Sequence, residues 1–108
     1  KSVSVEEFEK VIEQEAILLD IRTPEEFAQG QIEGATLIDY YDADFTSQLE
    51  ELDKDKTYAI YCRSGARSGD TLALMQELGF TSVYDLSGGI LAWNAAGNVL
   101  VGNDQRKK

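Results

Sequence analysis

Thr57-Tyr58-Ala59-Ile60-Tyr61-Cys62-Arg63-Ser64-Gly65-Ala66-Arg67-Ser68 runs from a β-branched, aromatic and apolar stretch into a loop of small and basic residues, then into a helical pattern. Thr57–Tyr61 has the composition of a buried strand, which puts Cys62 at the strand's carboxyl end. From Ser68 onward Leu72, Met75 and Leu78 recur on one helical stripe with Leu74 alongside, and Gly79 follows as a natural C′ residue. Strand, loop and helix in this order make an anion site, because successive loop amides and the positive end of the helix converge on one spot.

The same alternation extends outward in both directions. Upstream, Ser4 and Glu7 form a capping-box pattern before Val5, Phe8, Val11 and Ile12, predicting a helix over about 4–15. Ala16-Ile17-Leu18-Leu19-Asp20-Ile21 is almost continuously apolar, as a strand buried on both faces requires. Thr23, Pro24 and Glu26 then supply an N-cap, a first-turn proline and the third residue of a capping box for a short helix that carries Phe27 and ends at Gly30. Ala35–Asp39 reads as a strand, and Asp44 as the cap of a helix bearing Phe45, Leu49 and Leu52. Downstream, Thr81–Leu86 is another strand, and Gly88-Gly89 turns into a helix with Ile90, Leu91 and Trp93 that ends near Gly97. Helices alternating with short apolar strands specify an α/β fold with a parallel sheet.

Composition bounds the chemistry. A chain of 108 residues, 43% hydrophobic with ten aromatics, fits one globular domain over 1–108. Its core is expected over about 4–100 and a frayed tail over 101–108. The formal charge of −10 leaves no basic stripe for nucleic acid. No apolar run reaches the roughly 20 residues that span a bilayer, so a soluble monomer without membrane insertion is expected. The chain begins at Lys1, which fits an exported, processed product or an excised segment, and leaves the compartment open between cytoplasm and cell envelope.

Cys62 is the only cysteine, and the sequence has no histidine. An internal disulfide, a two-cysteine redox pair and a cysteine-rich zinc site are excluded, and no metal or cofactor is expected. Any chemistry must use a lone thiolate. Two of the four arginines, Arg63 and Arg67, lie within five residues of that sulfur. With a helix N-terminus they would stabilise the nucleophilic, charged form, and their guanidinium groups could hold an oxyanion. Gly65 permits positive φ, Ser64 and Ala66 are small enough to leave the cradle open, and Ser68 could either bond the sulfur or cap the helix. The alternative is an inert buried cysteine, which would not need two arginines, a glycine and a helix start directly after it.

The loop Cys62–Ser68 resembles the active-site loop of the rhodanese family. Four other segments fall in that family's order: Leu19-Asp20-Ile21-Arg22 with Thr23-Pro24-Glu25-Glu26-Phe27; Gln31-Ile32-Glu33-Gly34-Ala35 after Gly30; Leu78-Gly79-Phe80; and Leu86-Ser87-Gly88-Gly89-Ile90-Leu91-Ala92-Trp93. The resemblance implies a five-stranded parallel sheet with helices on both faces, and thiosulfate sulfurtransferase activity by double displacement. Cys62 would be the catalytic residue, with Arg63, Ser64, Gly65, Ala66, Arg67 and Ser68 binding the substrate. The partners would be a small anionic sulfur donor and a thiol or cyanide acceptor. Cysteine phosphatases resembling this fold place five residues between cysteine and arginine, whereas Cys62 and Arg67 enclose four, which favours sulfur transfer. A non-catalytic docking module is the other reading.

Gln31 and Glu33 stand where the family often has His and Pro, in a segment expected to be a structural turn. Asp20 and Arg22 are expected to be structural, with the aspartate bonding loop amides. Trp93 is expected to pack the last helix, and Tyr40–Asp44 to form a turn that could shape access to the site.

Overall fold

A computed structural model describes residues 1–102. Five strands form one all-parallel sheet: β1 (Ser2–Val3), β2 (Ile17–Asp20), β3 (Thr36–Leu37), β4 (Thr57–Tyr61) and β5 (Ser82–Leu86), in the order β1-β5-β4-β2-β3. The helices are α1 (Val5–Glu13), α2 (Pro24–Ala28), α3 (Phe45–Glu50), α4 (Ala66–Glu77) and α5 (Gly89–Ala95). The α/β class and the helix-flanked parallel sheet expected from the sequence are both present.

Side-chain alternation along β4 divides the core in two. Tyr58, Ile60 and Cys62 face Phe45 and Leu49 of α3 and Met75 of α4, while Ala59 and Tyr61 face Phe8 of α1 and Ile90 and Trp93 of α5. Both faces of the central strand are therefore covered, which explains its unbroken apolar sequence. Trp93 packs edge-on against Phe8, with centroids 6.3 Å apart, and donates through Nε1 to the Val99 carbonyl. It ties α5 to α1 and has no part in the cysteine loop.

Connections leave β2 and β4 in opposite directions, β2 to the β3 side and β4 to the β5 side. Such a reversal opens a crevice at the carboxyl ends of the two neighbouring strands. The loops after β2 and β4, carrying Arg22 and Cys62, meet there.

Several expectations are corrected. The edge strand β1 has only two residues, too few to show a period; it exists because Ser2 and Val3 align with Asp85 and Leu86. Helix α4 starts at Ala66, not Ser68, since Gly65 takes φ 107° as its N-cap. Asp44 precedes α3 without a side-chain cap; the Asp42 carboxylate accepts from the Asp44 amide instead. The Ser4 hydroxyl accepts from the Glu7 amide at 3.2 Å, but a full capping box occurs only at Thr23 and Glu26. At the start of the expected tail, Val101 and Gln31 exchange backbone hydrogen bonds of 2.8 and 2.9 Å, which satisfies both residues' amides and carbonyls. Gln105–Lys108, also expected to fray, lie outside the described residues.

Candidate active site

Cys62 emerges from the end of β4 fully buried, and its sulfur is met by backbone. The Gly65 amide donates to Sγ at 3.1 Å and the Ser68 amide at 3.4 Å. Both amides belong to the start of α4, a twelve-residue helix whose positive end reinforces them. Two oriented donors and a helix N-terminus favour negative charge on whatever atom occupies this spot.

The loop takes this shape because its carbonyls are held from the other side. The Ile90 amide donates to the Cys62 carbonyl at 2.9 Å and the Leu91 amide to the Arg63 carbonyl at 3.1 Å. With those carbonyls turned toward the first turn of α5, the peptide planes leave the later amides free to face the sulfur. Gly89 allows the approach. It sits at φ 62°, and a Cβ there would lie 2.7 Å from the Cys62 carbonyl oxygen and closer still to the Arg63 carbonyl. The Gly88-Gly89 pair, which reads in sequence as a turn into a helix, thus positions the cysteine loop; two consecutive glycines before a helix were the available signal.

The other sequence-named residues divide by exposure. Arg63, Ser64 and Ala66 are exposed around the loop, and Arg63 has no ion-pair partner among the described residues. Arg67 turns away toward α2. Its Nη1 and Nη2 donate to Glu26 Oε1 and Oε2 at 2.9 and 3.0 Å, and its guanidinium lies 5.6 Å from the Tyr41 ring centre. The Arg67 guanidinium, then the Thr23 amide, hold the Glu26 carboxyl down at about 2 against desolvation. The sequence marks Glu26 as a helix cap alone, yet it spans the crevice: one oxygen accepts from both Thr23 and Arg67. The Ser68 hydroxyl does neither of the two things expected of it, donating instead to the Gly65 carbonyl at 3.3 Å, while the Ser68 amide reaches the sulfur.

A second, fully internal network braces the floor of the crevice. Asp20 accepts from the Arg22 amide at 2.9 Å, from the Arg22 side chain at 2.7–3.0 Å and from the Tyr61 hydroxyl at 2.7 Å. The Tyr61 oxygen in turn accepts from the Ile32 amide at 3.1 Å. Burial, and then the Asp20 charge, push the Tyr61 phenol far up, so it stays a donor. Asp20 therefore organises its own β2 loop and does not bond the amides of the cysteine loop. Among the described residues no group of His, Cys, Asp and Glu side chains is arranged to hold a metal ion, and no helix is long and apolar enough to cross a membrane.

The chain is similar to known proteins in sequence and in fold. A sulfurtransferase of Allochromatium vinosum is 40% identical over 88 residues, covering 82% of this chain and 80% of that protein. The thiosulfate sulfurtransferase GlpE of Pseudomonas entomophila is 32% identical over 96 residues, covering 88% and 85%. The crystal structure of a rhodanese-related protein from Thermoplasma volcanium superimposes with a TM-score of 0.83 at 27% identity, covering 94% of this chain and 98% of that one. Residues 4–96 match the family model described as a rhodanese-like domain, and the chain belongs to the rhodanese family.

Proposed function

We propose that this protein is a sulfurtransferase that carries a sulfane sulfur on Cys62, taking it from thiosulfate or a persulfide donor and passing it to a thiol or to cyanide. The observation that carries this reading is the pair of amides, from Gly65 and Ser68, aimed at Cys62 Sγ. The names of the relatives support it. In the first half-reaction the Cys62 thiolate attacks the outer sulfur of thiosulfate. The sulfur–sulfur bond of the donor breaks, sulfite leaves with the electron pair, and Cys62 keeps the sulfur as a persulfide. In the second, the acceptor attacks the outer sulfur and the Cys62 thiolate leaves. No metal, redox cofactor or separate base is needed, because the thiolate is its own nucleophile.

The roles follow from position. Amides of Gly65 and Ser68 stabilise the departing and returning thiolate. Arg63, exposed and unpaired among the described residues, meets the sulfonate end of the donor. Ser64 and Ala66 form the small-residue mouth. Arg67, neutralised by Glu26, secures the wall of the crevice more than it binds anions.

Incubation with thiosulfate should add one sulfur atom by intact-mass measurement, reversible by cyanide. Cys62→Ser should take up none, and equal uptake by that variant would overturn the proposal.

A further inference from the structure

Two of the few large apolar side chains left exposed stand around the cysteine loop. Tyr41 is 66% exposed and packs over Arg67, and Leu91 is 46% exposed on α5, where its amide holds the Arg63 carbonyl. Beyond Tyr41 a cleft of about 490 Å³ runs between α4 and residues 40–46, the turn that leads into α3 and that helix's start. Tyr40, Phe45 and Leu74 give it apolar lining, and Asp42 and Asp70 line it with carboxylates. None of its lining residues among those described is basic. Asp70 accepts from the Tyr40 hydroxyl through one oxygen only, at 3.2 Å, leaving the other to a partner.

We propose that the sulfur acceptor is a cysteine within a polypeptide whose neighbouring basic side chain enters this cleft between Asp42 and Asp70, with Tyr41 and Leu91 gripping the chain beside the cysteine loop. This rests on the sulfurtransferase reading and specifies its second half-reaction: the acceptor thiolate attacks the outer sulfur of the Cys62 persulfide, the Cys62 bond to that sulfur breaks, and the acceptor departs as the persulfide. The charge argument is local. A cleft with two carboxylates, apolar lining and no cation discriminates against small acidic thiols and for lysine or arginine, whose stems lie on apolar surface while their heads pair. The reach also fits. Ser68 donates to the sulfur, and α4 rises about 1.5 Å per residue, so Asp70 and Leu74 stand about 3 and 9 Å further along the helix. An extended chain advances about 3.3 Å per residue, which places the basic residue about one to three positions from the acceptor cysteine.

The test loads the protein with sulfur from thiosulfate, then follows discharge by mass to two peptides. One carries lysines one and three positions either side of a single cysteine; its twin carries glutamates. The lysine peptide should discharge the protein roughly five- to tenfold faster at low salt, and the gap should close near 1 M salt. Asp42→Asn with Asp70→Asn should remove the preference while leaving cyanide discharge unchanged, and the amides keep the local acceptor oxygens. Glu13→Gln with Glu15→Gln, a charge-matched change at the carboxyl end of α1, should leave the preference intact. Equal rates for the two peptides, or a preference lost equally in both double variants, would refute the docking site. Failure to load any sulfur would refute the sulfurtransferase reading instead. The site is then judged by fluorescence anisotropy of the lysine peptide with serine replacing cysteine: binding weakened only by the Asp42 and Asp70 changes supports it, and no binding refutes it.

Discussion

Replacing Glu26 with Gln removes a charge while keeping a capping residue, since Gln at the third helical position can also reach back to the Thr23 amide. What is lost is the two-pronged pair with Arg67 across the crevice. A carboxyl held at about 2 instead of 4.5 corresponds to about 3 kcal/mol as an upper bound. Side-chain exposures of 17% for Arg67 and 24% for Glu26 let water screen the pair, which brings the expected loss to about 1–2 kcal/mol. For a domain of this size that lowers the melting temperature by about 4–8 °C per kcal/mol.

The pH dependence follows from the direction of the shift. A carboxyl depressed in the folded state contributes its full stability above its ordinary value of 4.5 and loses it as the pH falls toward about 2. Urea denaturation, followed by Trp93 fluorescence, should show the full gap between parent and Glu26→Gln at about pH 7 and pH 5, and about half of it near pH 3.3. A gap below about 0.5 kcal/mol at neutral pH, or one that persists unchanged in acid, would refute the assignment of Glu26 as the ion-paired brace of Arg67.

Three further outcomes are expected. Gly89→Ala should cost about 2–4 kcal/mol through its positive φ and its collision with the loop carbonyls, with sulfur uptake lost even where a melt shows the fold surviving; normal uptake would mean that α5 does not shape the loop. Asp85 is buried with one oxygen lacking any partner, and burial raises its carboxyl above the ordinary 3.8. Its charge therefore costs stability as the pH rises from that value through the raised one, so Asp85→Asn should melt higher than the parent at neutral pH, with the difference vanishing in acid. Glu15 follows the Gln14 C-cap of α1 at φ 70°, a left-handed position; Glu15→Gly should gain about 0.5–1 kcal/mol in urea denaturation, and Glu15→Ala should not.

Much of the fold was readable along the chain. The apolar run in β4, the capping residues Ser4 and Thr23, and the stripe Leu72, Met75 and Leu78 are local signals, and local backbone preference needs only neighbours in sequence. The strand β1 was not readable, because two residues have no period and Ser2–Val3 is a strand only in the presence of β5. Cys62 and its loop stood out for the same local reason: composition and spacing within seven residues. The partners of that loop did not. Glu26 and Arg67 are 41 residues apart, and nothing in either segment reports that one will pair with the other. The hold of α5 on the Cys62 and Arg63 carbonyls is equally remote in sequence.

The sequence by itself determined an α/β chain with one cysteine at the end of a buried strand, followed by small residues and a helix, since these are set by short-range sterics and side-chain period. Only the tertiary structure decided which charges near that cysteine are free. It pairs Arg67 with Glu26 and leaves Arg63 exposed, because the opposite exits from β2 and β4 bring distant loops into one crevice, and it turns the Gly65 and Ser68 amides onto the sulfur because α5 holds the carbonyls on the other side of the loop.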